Sequence, residues 1–203
     1  MRDDELTGQT IDLPSGELRV LQPREAVEVP DVGPVEWAPV APYWMVFWRS
    51  GIGLARELDG IPLRGRRAVE LGCGLGVPSI AAARAGADVL ATDASTDALA
   101  LLDRNAEANG VRIETARVDW TEPDELLERP AFDIVLAADV LYERAKGATL
   151  LSLLPRLAPE AWLADPGRPN SAADAFLEQA RRRWSVETTV RDEVVRIHRL
   201  RFG

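Results

Sequence analysis

Glu70-Leu71-Gly72-Cys73-Gly74-Leu75-Gly76 follows the apolar run Arg67-Ala68-Val69 and leads into Val77-Pro78-Ser79-Ile80. The run before the glycines predicts a strand over 67–71. Pro78 near the first helical position and Gly86 just past the last predict a helix over 78–85. A glycine-rich turn between strand and helix lets the backbone bend sharply and approach a ligand with no side chain between them. The spacing excludes two familiar uses of such a turn. A dinucleotide fingerprint would need glycine where Val77 stands, and a P-loop would need Gly-Lys-Ser/Thr after the turn.

Outward from this turn the pattern repeats. Strands are predicted over 67–71, 88–92, 111–118, 132–137 and 161–164. Helices are predicted over 78–85, from Ser95 to Asn109, and over 122–128, 144–157 and 172–183. Ser95 supplies an N-cap and Gly110 a stop. The ending differs: 185–190 and 194–202 alternate as strands around Arg191-Asp192-Glu193, a hairpin signal. The expectation is an α/β, Rossmann-like seven-stranded sheet, mostly parallel, with a C-terminal antiparallel hairpin and helices on both faces. Ligands in such sheets lie beyond the carboxyl ends of the strands, near the switch point. Upstream, 1–42 is rich in Pro, Gly and acids, with an alternating segment at 17–21. Pro39 and Pro42 then bracket the approach to Tyr43-Trp44-Met45-Val46-Phe47-Trp48, and a helix is predicted over 52–58.

Composition narrows the classes. The 203 residues suit one domain, and no apolar run approaches the roughly 20 residues that span a bilayer. The start, MRDDELTGQT, is too polar for a signal peptide, so a cytoplasmic protein with no membrane partner is expected. Cys73 and His198 are the single cysteine and histidine, so no internal disulfide and no metal site are expected. The net charge of -9 argues against a protein that grips nucleic acid through its phosphates and favours a basic partner or cationic substrate. The run Arg181-Arg182-Arg183 reads as a solvated helix end. Lys146 is the only lysine, and the Arg and Ala richness suggests a GC-rich bacterial genome.

The acids near the turn suggest the ligand. Asp93 ends the second predicted strand, where a carboxylate can accept both ribose hydroxyls of an adenosine. Glu70 and Asp93 suit a cationic ligand better than a pyrophosphate, and S-adenosylmethionine (SAM) carries a sulfonium and an α-ammonium. Asp119 and Trp120, after the third strand, could bond the adenine amino group and pack on its ring. Read singly, Glu70 could be a surface acid and Asp93 a helix cap; their order on successive elements is what specifies the site.

These residues resemble the class I, seven-strand SAM-dependent methyltransferases, over about Trp48 to the C-terminus. The resemblance implies that Glu70, Gly72, Gly74 and Gly76 hold the methionine part, Asp93 the ribose, and Asp119 with Trp120 the adenine. Cys73, Ala94 and Ala138 fall beside them as further cofactor-binding positions. A narrower similarity lies in Val69 to Pro78 and in Asp133-Ile-Val-Leu-Ala-Ala-Asp-Val-Leu-Tyr142, which look like the family-16 methyltransferases, many of them protein-lysine methyltransferases. Their Asp-x-x-Tyr signature is present as Asp139 to Tyr142, and Trp48 matches their upstream tryptophan near SAM. Ala164-Asp-Pro-Gly-Arg-Pro169 is similar to the branch that methylates the β-subunit of electron-transfer flavoprotein. The N-terminal stretch matches no part of that pattern and is read as an extension with short strands over 1–50, ahead of a methyltransferase domain over 51–203. The resemblance also implies transfer to a protein lysine, with Asp139 and Tyr142 as catalytic residues.

Other readings stay open at this stage. The acceptor could be a small molecule, RNA is the weaker third choice, and the chain could bind SAM without catalysis. Asp139 could cap the next helix, and Tyr142 could cover a sheet edge. Tyr43 and Trp48 could form an aromatic wall for a cation or simply be core. Asp165 and Arg168 read as a structural pair, with the substrate channel as the alternative. His198 reads as a satisfied structural histidine, Cys73 as a small hydrophobe, and Trp162 and Trp184 as core. A monomer is favoured.

Overall fold

A computed structural model describes residues 2–26, 43–142, 144–168 and 171–203. Pro39, Pro42 and Pro169 lie outside them. Two antiparallel strands, β1 (Leu6–Leu13) and β2 (Gly16–Pro23), come first, and α1 (Arg49–Asp59) follows. The α/β core runs β3 (Arg67–Leu71), α2 (Val77–Arg84), β4 (Asp88–Asp93), α3 (Thr96–Ala108), β5 (Glu114–Arg117), α4 (Asp124–Leu127), β6 (Ile134–Ala138), α5 (Arg144–Leu157), β7 (Glu160–Asp165) and α6 (Ala172–Arg181). The hairpin β8 (Ser185–Arg191) and β9 (Val195–Arg201) closes the sheet. Strand order is β5-β4-β3-β6-β7-β9-β8, parallel up to β7 and antiparallel beyond it. The chain reverses direction across the sheet between β3 and β6, so the loops after these two strands flank one crevice. No helix among the described residues is long and apolar enough to cross a membrane.

Alternation along the strands builds two cores. Ala68, Ile134, Leu136 and Trp162 face α1, α2 and α3, while Val69, Val135, Ala137 and Leu163 face α4, α5 and α6. Two expectations are corrected. The strand expected over 111–118 is only Glu114–Arg117, because the Val111 amide bonds back to the Ala106 carbonyl to finish α3. The helix expected over 122–128 shrinks to Asp124–Leu127, because Asp119 to Glu122 form a turn first.

The N-terminal hairpin is part of the main core: Leu18 and Val20 pack with Leu54 and Leu58 of α1. Its outer edge is satisfied by side-chain amides from α3. Asn105 accepts from the Leu21 amide at 2.7 Å and Asn109 from the Arg19 amide at 2.9 Å, and each Nδ2 donates back to the carbonyl of the same residue. Asn105 Nδ2 also donates to the Leu75 carbonyl at 3.0 Å, so the hairpin, α3 and the glycine turn share one fully buried amide.

α1 reaches the sheet closely because Gly53 carries no Cβ; one there would lie 2.7 Å from Val195 Cγ1. Helix propensity alone would make Gly53→Ala stabilising by about 1 kcal/mol. The contact reverses the sign. Gly53→Ala is expected to lower stability in urea unfolding by about 1 kcal/mol or more through overpacking, whereas in a Val195→Ala background the same change is expected to raise it.

Candidate cofactor and acceptor site

The glycine turn is held from beneath. Glu70, at 1% exposure, accepts the Ser79 amide at 2.9 Å and the Ser79 hydroxyl, both on Oε2. Ser79 lies in the first turn of α2, where an amide has no partner within the helix, and the carboxyl supplies one. The Cys73 amide bonds the Thr92 carbonyl at 2.9 Å, and the Gly74 amide bonds Asp93 Oδ2 at 3.0 Å. Gly76 sits at the N-cap of α2 with φ +80°, where a Cβ would meet Leu102 at 2.6 Å. At Gly72, φ +69°, a Cβ would press on Trp120 and Val140 at 3.2 Å, so the turn needs glycine to pass between the two sides of the crevice.

Above the turn opens a cavity of about 640 Å³. Every residue singled out from the sequence as catalytic or cofactor-binding lines it. Asp93 Oδ1 accepts the Ser95 amide at 2.9 Å, so each oxygen of this carboxylate holds one backbone amide and keeps a second acceptor position. Asp119 Oδ1 takes the Thr121 amide and hydroxyl at 2.9 and 2.7 Å, bonds that hold its carboxyl below the usual range, and Oδ2 remains for a ligand. Trp120 stands on the same loop. Burial pushes Glu70 up to about 8 against the opposing pull of the Ser79 bonds, and it pushes the Cys73 thiol well above its ordinary value. Cys73 is the small buried side chain expected.

Asp139 and Tyr142 line the cavity from the other side of the crevice. Asp139 has φ +56°, a conformation that Asp tolerates better than most residues, and its amide bonds the Ala164 carbonyl at 2.9 Å. Burial raises its carboxyl to about 6, while the Ser50 hydroxyl and the Arg168 guanidinium favour its charged form. The Tyr43 ring lies 5.5 Å from the Tyr142 ring and 6.5 Å from that of Trp48, whose indole N–H donates to the Tyr43 carbonyl at 3.1 Å.

The pairing expected between Asp165 and Arg168 is not what the fold builds. Asp165 is taken by β9: Arg196 reaches it at 2.8 Å and His198 Nε2 at 2.5 Å, and His198 Nδ1 meets the Thr188 hydroxyl at 2.9 Å. Burial raises the Asp165 carboxyl, but the bonds from His198 and Arg196 outweigh it and hold the group below its usual range. Arg168 instead lines the cavity, with Nε buried and unbonded among the described residues. His198 is the satisfied buried histidine expected, and Trp162 is core. Trp184 is only partly buried and packs edge-on against Phe202.

Sequence reasoning missed two lining or supporting residues. Ser50, fully buried in the first turn of α1, sits beside Asp139. Lys146, in the first turn of α5, also lines the cavity. Its position four residues after Tyr142 on a predicted helix was the available signal.

A doubly wound sheet with an acid-flanked glycine turn and a carboxylate after each of β3's neighbours is the site of a class I SAM-dependent methyltransferase. A family model described as "Lysine methyltransferase" matches residues 45–178, and the chain belongs to that family. Protein N-lysine methyltransferase METTL21A of Danio rerio is 29% identical over 162 residues, which take in 75% of this chain and 74% of that protein. Electron transfer flavoprotein beta subunit lysine methyltransferase of the same fish is 31% identical over 145 residues, 66% of this chain but 54% of that protein. Among solved structures, the Thermus thermophilus 16S rRNA N2 G1207 methyltransferase with AdoMet and guanosine covers 98% of this chain and 51% of its own, with TM-score 0.68 and 17% identity. Magnesium protoporphyrin IX methyltransferase from Synechocystis with bound SAM gives TM-score 0.57 at 22% identity, over 76% of this chain and 79% of that one. These two likenesses speak to the fold.

The donor set fits SAM: carboxylates with vacant acceptor positions face the cavity, and an indole stands where a flat ring would pack. With its carboxyl raised to about 8, Glu70 is mostly neutral at pH 7. A cationic ligand lowers that value, so binding is expected to release up to one proton. Calorimetry in buffers of different ionisation enthalpy reads the release directly. Affinity is expected to rise by up to about tenfold per pH unit between pH 6 and 8, and Glu70→Gln is expected to abolish both effects.

Proposed function

We propose that the chain transfers a methyl group from SAM to the ε-nitrogen of a lysine in another protein. The observation that carries this reading is the composition of the crevice after β6. One carboxylate, Asp139, faces a cavity walled by the rings of Tyr43, Trp48 and Tyr142. A lysine needs such a set, with apolar faces for its stem, π faces for its ammonium and an anion at the tip. The family match and the names of the two relatives agree with it, and a net charge of -9 favours a basic protein surface over a phosphate backbone.

Bound SAM supplies an electrophilic methyl group on a sulfonium. The chain's own residues do the rest. Asp93 and the Asp119–Trp120 loop would hold the adenosine end, which would limit the motion of the bound cofactor in the cavity. Asp139 draws the ammonium in and orients it. A free lysine has a pKa of about 10.4, so the incoming ammonium must lose a proton before it can attack, and it gives that proton to the ionised Asp139, which passes it to solvent. The aromatic rings keep water from competing for the methyl group. Tyr142 sets the width of the passage and presents its hydroxyl beside the amine.

The test is incubation of a lysate with the enzyme and SAM carrying a heavy methyl group, followed by peptide mapping. Label on lysine side chains is expected; label confined to nucleic acid or small molecules would overturn the reading. Asp139→Asn is expected to slow single-turnover transfer by about a hundredfold or more, the scale of a lost acid–base group. Because Asp139 titrates at about 6, the wild-type rate is expected to fall as pH drops through 6, and the variant to lose that limb.

A further inference from the structure

The chain contains one lysine, and the fold puts it in the catalytic cavity. Lys146 lies in the first turn of α5, and Tyr142 in the loop that precedes the helix. Its Nζ donates to the Tyr142 hydroxyl and stands 3.9 Å from the centre of the Tyr142 ring and 5.9 Å from that of Trp120. Tyr142, one of the rings described above as complementary to a lysine ammonium, therefore already holds one. No other lysine exists in the chain to be labelled in its place.

We propose that Lys146 is a methyl acceptor of its own active site, modified in cis by the SAM bound in the same cavity. The proposal rests on the lysine-directed reading of the site and deepens it. The four-carbon stem lets Nζ pivot about Tyr142, and Asp139 lines the same space. Partial burial, opposed by the Asp119 and Asp93 carboxylates, lowers the Lys146 ammonium below its ordinary value, which increases the fraction of free amine. In the step itself the ammonium first gives a proton to solvent. The Nζ lone pair then forms the new N–C bond as the methyl C–S bond breaks. The positive charge passes from sulfur to nitrogen, and S-adenosylhomocysteine leaves as a neutral thioether. The product keeps its cation, and a methylated ammonium still suits the faces of Tyr142 and Trp120. Because Lys146 stands against Trp120, the added bulk would narrow the adenine end of the cavity, so the modification would weaken the next round of SAM binding.

The experiment uses the full chain. Intact mass and peptide mapping are run on the protein as purified, and again after incubation with heavy-methyl SAM, with a lysate added to one half. The expected result is one to three methyl groups on Lys146, either already present on purification or gained as heavy label. The first-order rate constant is expected to stay constant on tenfold dilution of the protein. Lys146→Arg is expected to carry no lysine label. An unlabelled Lys146 beside labelled lysines in lysate proteins would overturn this inference and leave the proposed function standing. A rate constant that falls in proportion to dilution would overturn transfer in cis. Absence of lysine label anywhere would overturn both.

Discussion

The bond between the buried Glu70 carboxyl and the first turn of α2 holds the site together. β3 is an interior strand, paired with β4 on one side and β6 on the other, and Glu70 sits one residue before its end. By taking the Ser79 amide and hydroxyl, its carboxyl fastens the strand to the helix that follows and closes the glycine turn between two fixed points. The other supports act on a turn already fixed in this way. Asp93 holds the Gly74 amide, Thr92 the Cys73 amide, and Asn105 the Leu75 carbonyl. An acid buried this deeply is costly when charged. Burial accordingly raises the Glu70 carboxyl to about 8, against the lowering pull of the Ser79 bonds.

The second half of the site belongs to elements far apart in sequence. β6 delivers Asp139 and Tyr142, α1 brings Ser50 and Trp48, and the loop after β7 brings Arg168. Their alignment depends on close packing at places with no polar residue. α1 lies against β9 through Gly53, and the N-terminal hairpin buries Leu18 and Val20 against α1. The Asn105 and Asn109 amides imitate a neighbouring strand at Leu21 and Arg19 of β2. The hairpin is therefore tied to the same α3 residue that steadies the glycine turn.

Most of the core was legible because its signals are local. The strand at 67–71, the helix at 144–157 and the Ser95 cap follow from apolar runs, periodicity and one hydroxyl, and the structure has them at those positions. The acids that end successive strands were legible for the same reason. What escaped was decided by partners distant in sequence. Val111 and its neighbours read as strand, but the Val111 amide completes α3 instead. Asp165 and Arg168 read as a pair, but β9, pairing antiparallel with β7, offers Arg196 and His198 at shorter reach and frees Arg168 for the cavity. Ser50 carries no signal in a sequence, because only the docking of α1 brings it to Asp139. Lys146 is an intermediate case: its spacing from Tyr142 was visible, but its second aromatic neighbour, Trp120, comes from a different loop.

The proposed function requires one cavity to hold the adenosine end on the β4 and β5 loops and to direct the reacting end at the residues after β6. A crystal structure with S-adenosylhomocysteine tests it most directly. Both ribose hydroxyls are expected on the Asp93 carboxylate, the adenine against Trp120 and Val140, and the sulfur turned toward Asp139 and Tyr142. A ligand bound with its ribose away from Asp93, or with its sulfur facing away from Asp139, would contradict it.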